Sequence, residues 1–192
     1  MNKWLIAILA CALGGCLSLP GSDSAAPSRY TLQGPGGSCV PAQRSLVLDV
    51  AAVGAGLDTD RIAQLQEPTG EVTWLRDVRW VRSAGVMLEG RLATDLECRG
   101  FAVQTGHRVQ PGGSRLQCEL RTLNLIERDG AREAWITLSC LYRAGEDAPE
   151  SVLLESARVP LARWSADAAV HAFNAAYAEV FNGLYARMAG GD

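Results

Sequence analysis

Leu116-Gln117-Cys118-Glu119-Leu120-Arg121-Thr122 and Ala134-Trp135-Ile136-Thr137-Leu138-Ser139-Cys140-Leu141-Tyr142 alternate apolar with polar side chains, and Arg128-Asp129-Gly130 lies between the two runs. In an extended chain successive side chains point to opposite faces, so each run buries one face and wets the other. Two such runs around a turn-forming Asp-Gly predict a β-hairpin. If three residues centred on Asp129 form the loop, Cys118 lies opposite Cys140, both on the apolar faces. Opposed Cα atoms in a ladder are roughly 4.5–5.5 Å apart, inside the window a disulfide accepts. The expected bridge is Cys118 to Cys140, which leaves Cys39 for Cys98; the alternative is a pair of buried thiols side by side.

Downstream, Ser151 to Val159 reads as a further strand stopped near Pro160. Ser165 then caps a terminal helix whose Val170, Phe173, Tyr177, Val180, Leu184 and Met188 mark one stripe, ending at Gly190-Gly191. Upstream, Leu46 to Val53 is a mainly apolar run closed by Gly54-Ala55-Gly56, a buried strand ending in a turn. The two glycines invite a dinucleotide-binding reading, which fails because Asp58-Thr59-Asp60 supplies no third glycine. Arg61 to Gln66 and Glu71 to Leu75 form a second expected hairpin around Pro68-Thr69-Gly70. From a cap at Asp77, Val78, Val81, Leu88, Leu92 and Leu96 fall at helical spacings, with Arg79, Arg82, Glu89, Arg91 and Asp95 mostly on other sides. Phe101-Ala102-Val103 is a short strand, and Gln110-Pro111-Gly112-Gly113 a loop. Strands surround one long helix and precede another. The expected fold class is α+β, a single domain with a mixed or antiparallel sheet packed by two long amphipathic helices.

The N-terminus has a different character. Met1-Asn2-Lys3 carries one positive side chain, and Trp4 to Leu13 runs without a charge to Gly14-Gly15-Cys16. That apolar run is about ten residues, well short of the roughly 20 that span a bilayer as a helix. It has the outline of a signal peptide over residues 1–15. Leu13-Gly14-Gly15-Cys16 resembles the lipobox of bacterial lipoproteins, so cleavage before Cys16 and acylation of its sulfur are expected. Each buried acyl methylene adds about 0.8 kcal/mol of membrane affinity, and several chains make the anchor effectively permanent. Leu17 stands where inner-membrane lipoproteins of enteric-type bacteria tend to carry Asp, which points to the periplasmic face of the outer membrane. Residues 16–28, rich in Ser, Ala, Pro and Gly, read as an acylated flexible tether, and residues 29–192 as the folded domain. Cys39, Cys98, Cys118 and Cys140, an even number bound for an oxidising compartment, suit two disulfides.

Formal net charge is −3, and the basic residues after Lys3 are arginines scattered along the chain, a pattern that excludes a nucleic-acid-binding stripe. The 2 histidines, His107 and His171, lie far apart and at no metal-ligand spacing to a cysteine, so no metal and no cofactor are expected. Neither a nucleophile elbow nor a phosphate loop nor a His-Glu-x-x-His is present, and the cysteines are better explained as bridges. The chain reads as a non-enzyme.

Arg29-Tyr30-Thr31-Leu32, Asp60-Arg61-Ile62, Glu71-Val72, Arg79-Trp80 and Leu92-Ala93-Thr94-Asp95-Leu96, together with the acylated cysteine, carry a resemblance. The chain resembles the ABC-type transport auxiliary lipoproteins, the family of the paraquat-inducible protein C lipoprotein. Val81, where members commonly have alanine, and the four cysteines of the mature chain depart from that pattern. The resemblance implies a non-catalytic partner of an ABC permease, its ATPase and a periplasmic MCE-domain lipid carrier, moving phospholipids or other hydrophobic compounds across the envelope. It allows a homo-oligomer; Arg79 and Trp80 are candidate partner contacts, the favoured alternative being a helix-start Trp packed on the sheet with a neighbouring Arg. Two rivals are a lipid-carrying lipoprotein with its own cavity and an envelope assembly or secretion lipoprotein.

Overall fold

A computed structural model describes residues 26–54, 56–106 and 113–190. The signal peptide, Cys16, most of the tether, His107, the loop from Gln110 to Gly112, and Gly191 lie outside the described residues. The elements, in chain order, are β1 (Ser28–Tyr30), β2 (Arg44–Ala52), β3 (Arg61–Glu67), β4 (Glu71–Trp80), α1 (Ala84–Cys98), β5 (Phe101–Thr105), β6 (Ser114–Arg128), β7 (Ala131–Arg143), β8 (Ser151–Pro160) and α2 (Ala166–Gly190). The fold is α+β, a mixed eight-stranded sheet with two helices.

β6 organises the sheet. Along one edge it pairs antiparallel with β7, and β8 pairs antiparallel with the far side of β7. The other edge is divided: the first half of β6 pairs parallel with β2, Leu46 to Ala52 opposite Ser114 to Leu120. The second half pairs parallel with β3, Ala63 to Glu67 opposite Asn124 to Arg128. The sheet therefore forks into one arm of β2 and β5 and another of β3, β4 and β1. A bulge marks the fork, where the β6–β7 register shifts between Leu120 and Thr122. Gly54 sits beside it, its amide on the Leu120 carbonyl at 3.4 Å, and a Cβ there would come within 2.2 Å of the Arg121 carbonyl oxygen.

The hairpin exists with a shorter loop than expected. Arg128 faces Ala131, and Asp129 (φ 51°) with Gly130 (φ 78°) form a two-residue turn. Both positions need the left-handed region, which Asp-Gly tolerates and which matches the twist of the strands. That register alone would set Cys118 against Leu141; the bulge moves the ladder by one residue, and Cys118 faces Cys140. Disulfides join Cys118 to Cys140 and Cys39 to Cys98.

A second correction concerns the first helix. Asp77 to Trp80 belong to β4, and α1 begins at Ala84 after Ser83. Val78 and Trp80 alternate into the core, and the Trp80 amide donates to the Asp60 carbonyl at 2.8 Å, so the strand outcompetes the helix here. Leu88, Leu92 and Leu96 are fully buried as the helical spacing requires, whereas Val81 is 43% exposed. In α2 every residue of the expected stripe is buried, and Ser165 Oγ accepts from the Ala168 amide at 3.0 Å.

Both helices pack on one face, α1 over β2 and β5 and α2 over β7 and β8. Between them lies a buried polar contact. Asp95 of α1 is 5% exposed and accepts from the Tyr177 hydroxyl of α2 at 2.7 Å and from Arg91 Nε at 2.9 Å. The segment after β1 crosses this pair: the Gln33 amide donates to Asn174 Oδ1 at 2.9 Å, and Gly34 leaves no room for a Cβ beside Asp95. Burial, and then the Asp95 charge and hydrogen bond, hold the Tyr177 phenol well above its ordinary 10.0. Its contribution to stability is complete below the value of the unfolded chain and is lost as pH rises from there towards the folded one. Tyr177→Phe should cost about 1–2 kcal/mol at neutral pH by removing one charge-assisted hydrogen bond from buried Asp95, which keeps only Arg91. Urea midpoints measured between about pH 9 and pH 11 should fall less steeply in the variant than in the parent.

Candidate functional site: an arginine row on the outer face

The short arm places arginines in register across three strands. In the parallel pairing of β1 with β4, Arg29 stands opposite Arg79, and in the antiparallel pairing of β4 with β3, Arg79 stands opposite Arg61. Their neighbours Ile62, Val78 and Trp80 turn into the core, so the three guanidinium side chains share the face turned away from the helices. Adjacent strands are about 4.8 Å apart, and like charges directly opposite one another repel. One carboxylate relieves part of this: Asp60 binds Arg79 Nη1 at 2.9 Å and lies 3.6 Å from Arg29 Nη1. Among the described residues neither Arg61 nor Arg76 makes an ion pair.

Beside the row the ladder between β3 and β4 breaks. Arg61 faces Arg79, yet Ala63 faces Trp74, so β4 carries extra residues around Leu75, Arg76 and Asp77. Bulges of this kind re-aim side chains and open the surface next to binding sites. Here an open groove of about 510 Å³ is lined by Arg61, Thr73, Trp74, Leu75, Arg76 and Arg79. Trp74 is held from below by Gly56, whose φ of 77° and missing Cβ let the indole approach: a Cβ would come within 2.3 Å of the ring. The Gly54-Ala55-Gly56 run thus serves the fork and this ring, not a phosphate loop.

Arg79 lines this groove, with 28% of its side chain exposed. Trp80 does not. It is 0% exposed and its ring packs edge-on against Phe173 with centroids 5.2 Å apart; as a partner contact it is corrected, and the packing alternative describes it, at the end of a strand rather than at a helix start. His171 is exposed on α2, and no group of three or more metal-ligating side chains occurs among the described residues. Arg61, Trp74 and Arg76 were missed from sequence because a cross-strand register and a bulge bring them together. Asp60-Arg61-Ile62 was the one available signal.

No family model matches the chain, and no curated protein matches it. Solved structures that share its fold include the following two. Protein XCC0632 from Xanthomonas campestris, described as family-model DUF330, is 20% identical, with 83% of this chain and 91% of that one covered and a TM-score of 0.62. The second, an uncharacterized protein, is 13% identical, with 85% and 99% covered and a TM-score of 0.68. At these identities the likeness is one of fold.

Gly56→Ala should cost about 1–3 kcal/mol, since it forces a side chain into the left-handed region and displaces Trp74. Gly145→Ala, which meets nothing within 4 Å, serves as the control. Urea denaturation followed by tryptophan emission should show a lower midpoint and an altered native spectrum in the first variant alone.

Proposed function

We propose that this protein is a non-catalytic lipoprotein, anchored through acylated Cys16 to the periplasmic face of the outer membrane, serving an ABC/MCE-type system that moves phospholipids or other hydrophobic compounds. The observation that carries the anchor is the short apolar run ending in Leu13-Gly14-Gly15-Cys16, followed by a polar tether and then by a domain whose first strand begins at Ser28. The transport role is supported by the resemblance of Arg29-Tyr30-Thr31-Leu32, Asp60-Arg61-Ile62 and Arg79-Trp80 to the auxiliary lipoproteins. The fold held in common with the DUF330 protein fits a domain of that kind.

In this reading the domain works by position. From Cys16 to Ser28 the tether reaches at most about 40 Å when fully extended, so the domain stays within a short radius of the bilayer. Tethering raises the local concentration of an MCE-domain carrier, and through it of the ABC permease and ATPase, without any new chemistry. The test is capture of the tagged, acylated protein from solubilised envelopes, with bound proteins identified by mass spectrometry. An MCE protein or ABC permease is the expected companion; recovery of unrelated envelope proteins alone would overturn the transport role. Cys16→Ser should release the protein from the membrane fraction, and persistence of the variant there would overturn the anchor.

A further inference from the structure

We infer that the groove beside the arginine row binds a phosphate ester carrying an apolar tail, with Arg61 and Arg76 gripping the phosphate and Trp74 and Leu75 receiving the tail. The site goes beyond the transport role and does not rest on it. Four observations converge. The groove is concave, open and about 510 Å³, the size range of a small-molecule site. Of its six lining residues three are arginines, in a chain whose formal net charge is −3. The one carboxylate bound in the row, Asp60, is already engaged by Arg79 and Arg29, and Arg61 and Arg76 have no ion-pair partner among the described residues. The rest of the lining is an indole and a leucine, with Thr73 the one further polar side chain.

Ligand class follows from that chemistry. A guanidinium presents a planar fork of donors that matches phosphate and carboxylate oxygens, and such bonds are about twice as strong as neutral ones. A single carboxylate would be met by one arginine. Two free guanidinium groups, with Arg79 behind them, suit a group with several charged or accepting oxygens. Trp74 and Leu75 would be wasted on an inorganic ion, since they offer no donor toward it beyond the indole N–H. A head group esterified to an aliphatic chain uses both walls. The groove lies in the same arm as β1, the strand that follows directly on the N-terminal segment.

The test uses the full acylated chain in non-ionic detergent, titrated by calorimetry with inorganic phosphate, glycerol 3-phosphate and dihexanoylphosphatidylglycerol. Parent and the double variant Arg61→Gln/Arg76→Gln share the anchor and the micelle, so partition heats cancel between them. Both substituted side chains are exposed, and the thermal midpoint should be unchanged. The expected result is saturable binding of the lipid, tighter than glycerol 3-phosphate, weakened about tenfold or more in the double variant by loss of the charge-assisted bonds. Trp74→Ala should weaken the lipid and leave glycerol 3-phosphate unaffected. Equal affinity of parent and double variant, or no saturable binding of any of the three, would overturn the site. Inorganic phosphate binding as tightly as the lipid would overturn the tail contact, whatever the envelope capture returns.

Discussion

A strand has two edges, and β6 offers three strands a place on them. β7 occupies one edge for nearly its whole length, while β2 and β3 share the other end to end. Two strands meeting on one edge must diverge, and the bulge at Arg121 supplies the extra residue that lets β6 turn between them. The fork needs close approach as well: the chain leaving β2 passes so near the Arg121 carbonyl that Gly54 is required there. Everything on the β3–β4–β1 arm, the arginine row included, takes its place from this division.

The helices cover only one face of the forked sheet, and their mutual contact is not purely apolar. Asp95, buried between α1 and α2, is matched by Tyr177 and Arg91, so a carboxylate that would be costly alone becomes a fixed point for the angle between the helices. The segment that follows β1 ties into the same place through Gln33 and Gly34, and the disulfide from Cys39 to Cys98 pins its continuation to the end of α1. The Tyr30 hydroxyl adds a contact of 2.9 Å to Asp167 in the first turn of α2. The stretch between β1 and β2 is thus held across both helices before the chain re-enters the sheet at β2. A tether that joins a domain at such a strap transmits the position of its anchor to the arm where β1 lies.

Where side-chain periodicity decides an element, the sequence sufficed. The β6–β7 hairpin and α2 follow from periods of two and of three to four, because burial on one face leaves its record in every second or every third to fourth residue. The bulge left a record too: Leu116, Cys118 and Leu120 face the core, and then Leu123 and Leu125 do, so the apolar phase slips by one across Arg121 and Thr122. Reading the loop as three residues absorbed that slip in the wrong place and still set Cys118 against Cys140. The start of α1 was misplaced because Val78 and Val81 fit a helical spacing by coincidence with a strand alternation of Val78 and Trp80. Trp80 drew notice as a contact because Arg79-Trp80 carries part of the resemblance; its burial depends on Phe173 in a helix far along the chain. The arginine row was illegible for a similar reason. Its members come from segments far apart in sequence, one of them a three-residue strand with no pattern of its own.

The row is hard to account for as a stabilising device. Opposed like charges cost about 0.2–1 kcal/mol per pair relative to neutral neighbours, and an exposed ion pair returns no more than a similar amount. A network built for stability would give each guanidinium its own carboxylate, as Arg128 has Glu67 and Arg187 has Glu155 elsewhere in this chain. On the arm Asp60 is shared between Arg29 and Arg79, and Arg61 and Arg76 are left to the groove. The bulge in β4 then adds a cost in broken ladder bonds at the same spot. Local choices that each weaken the fold and together leave unpaired donors in one groove with an indole and a leucine are what a binding surface requires, because donors already paired within the protein have nothing left to offer a ligand.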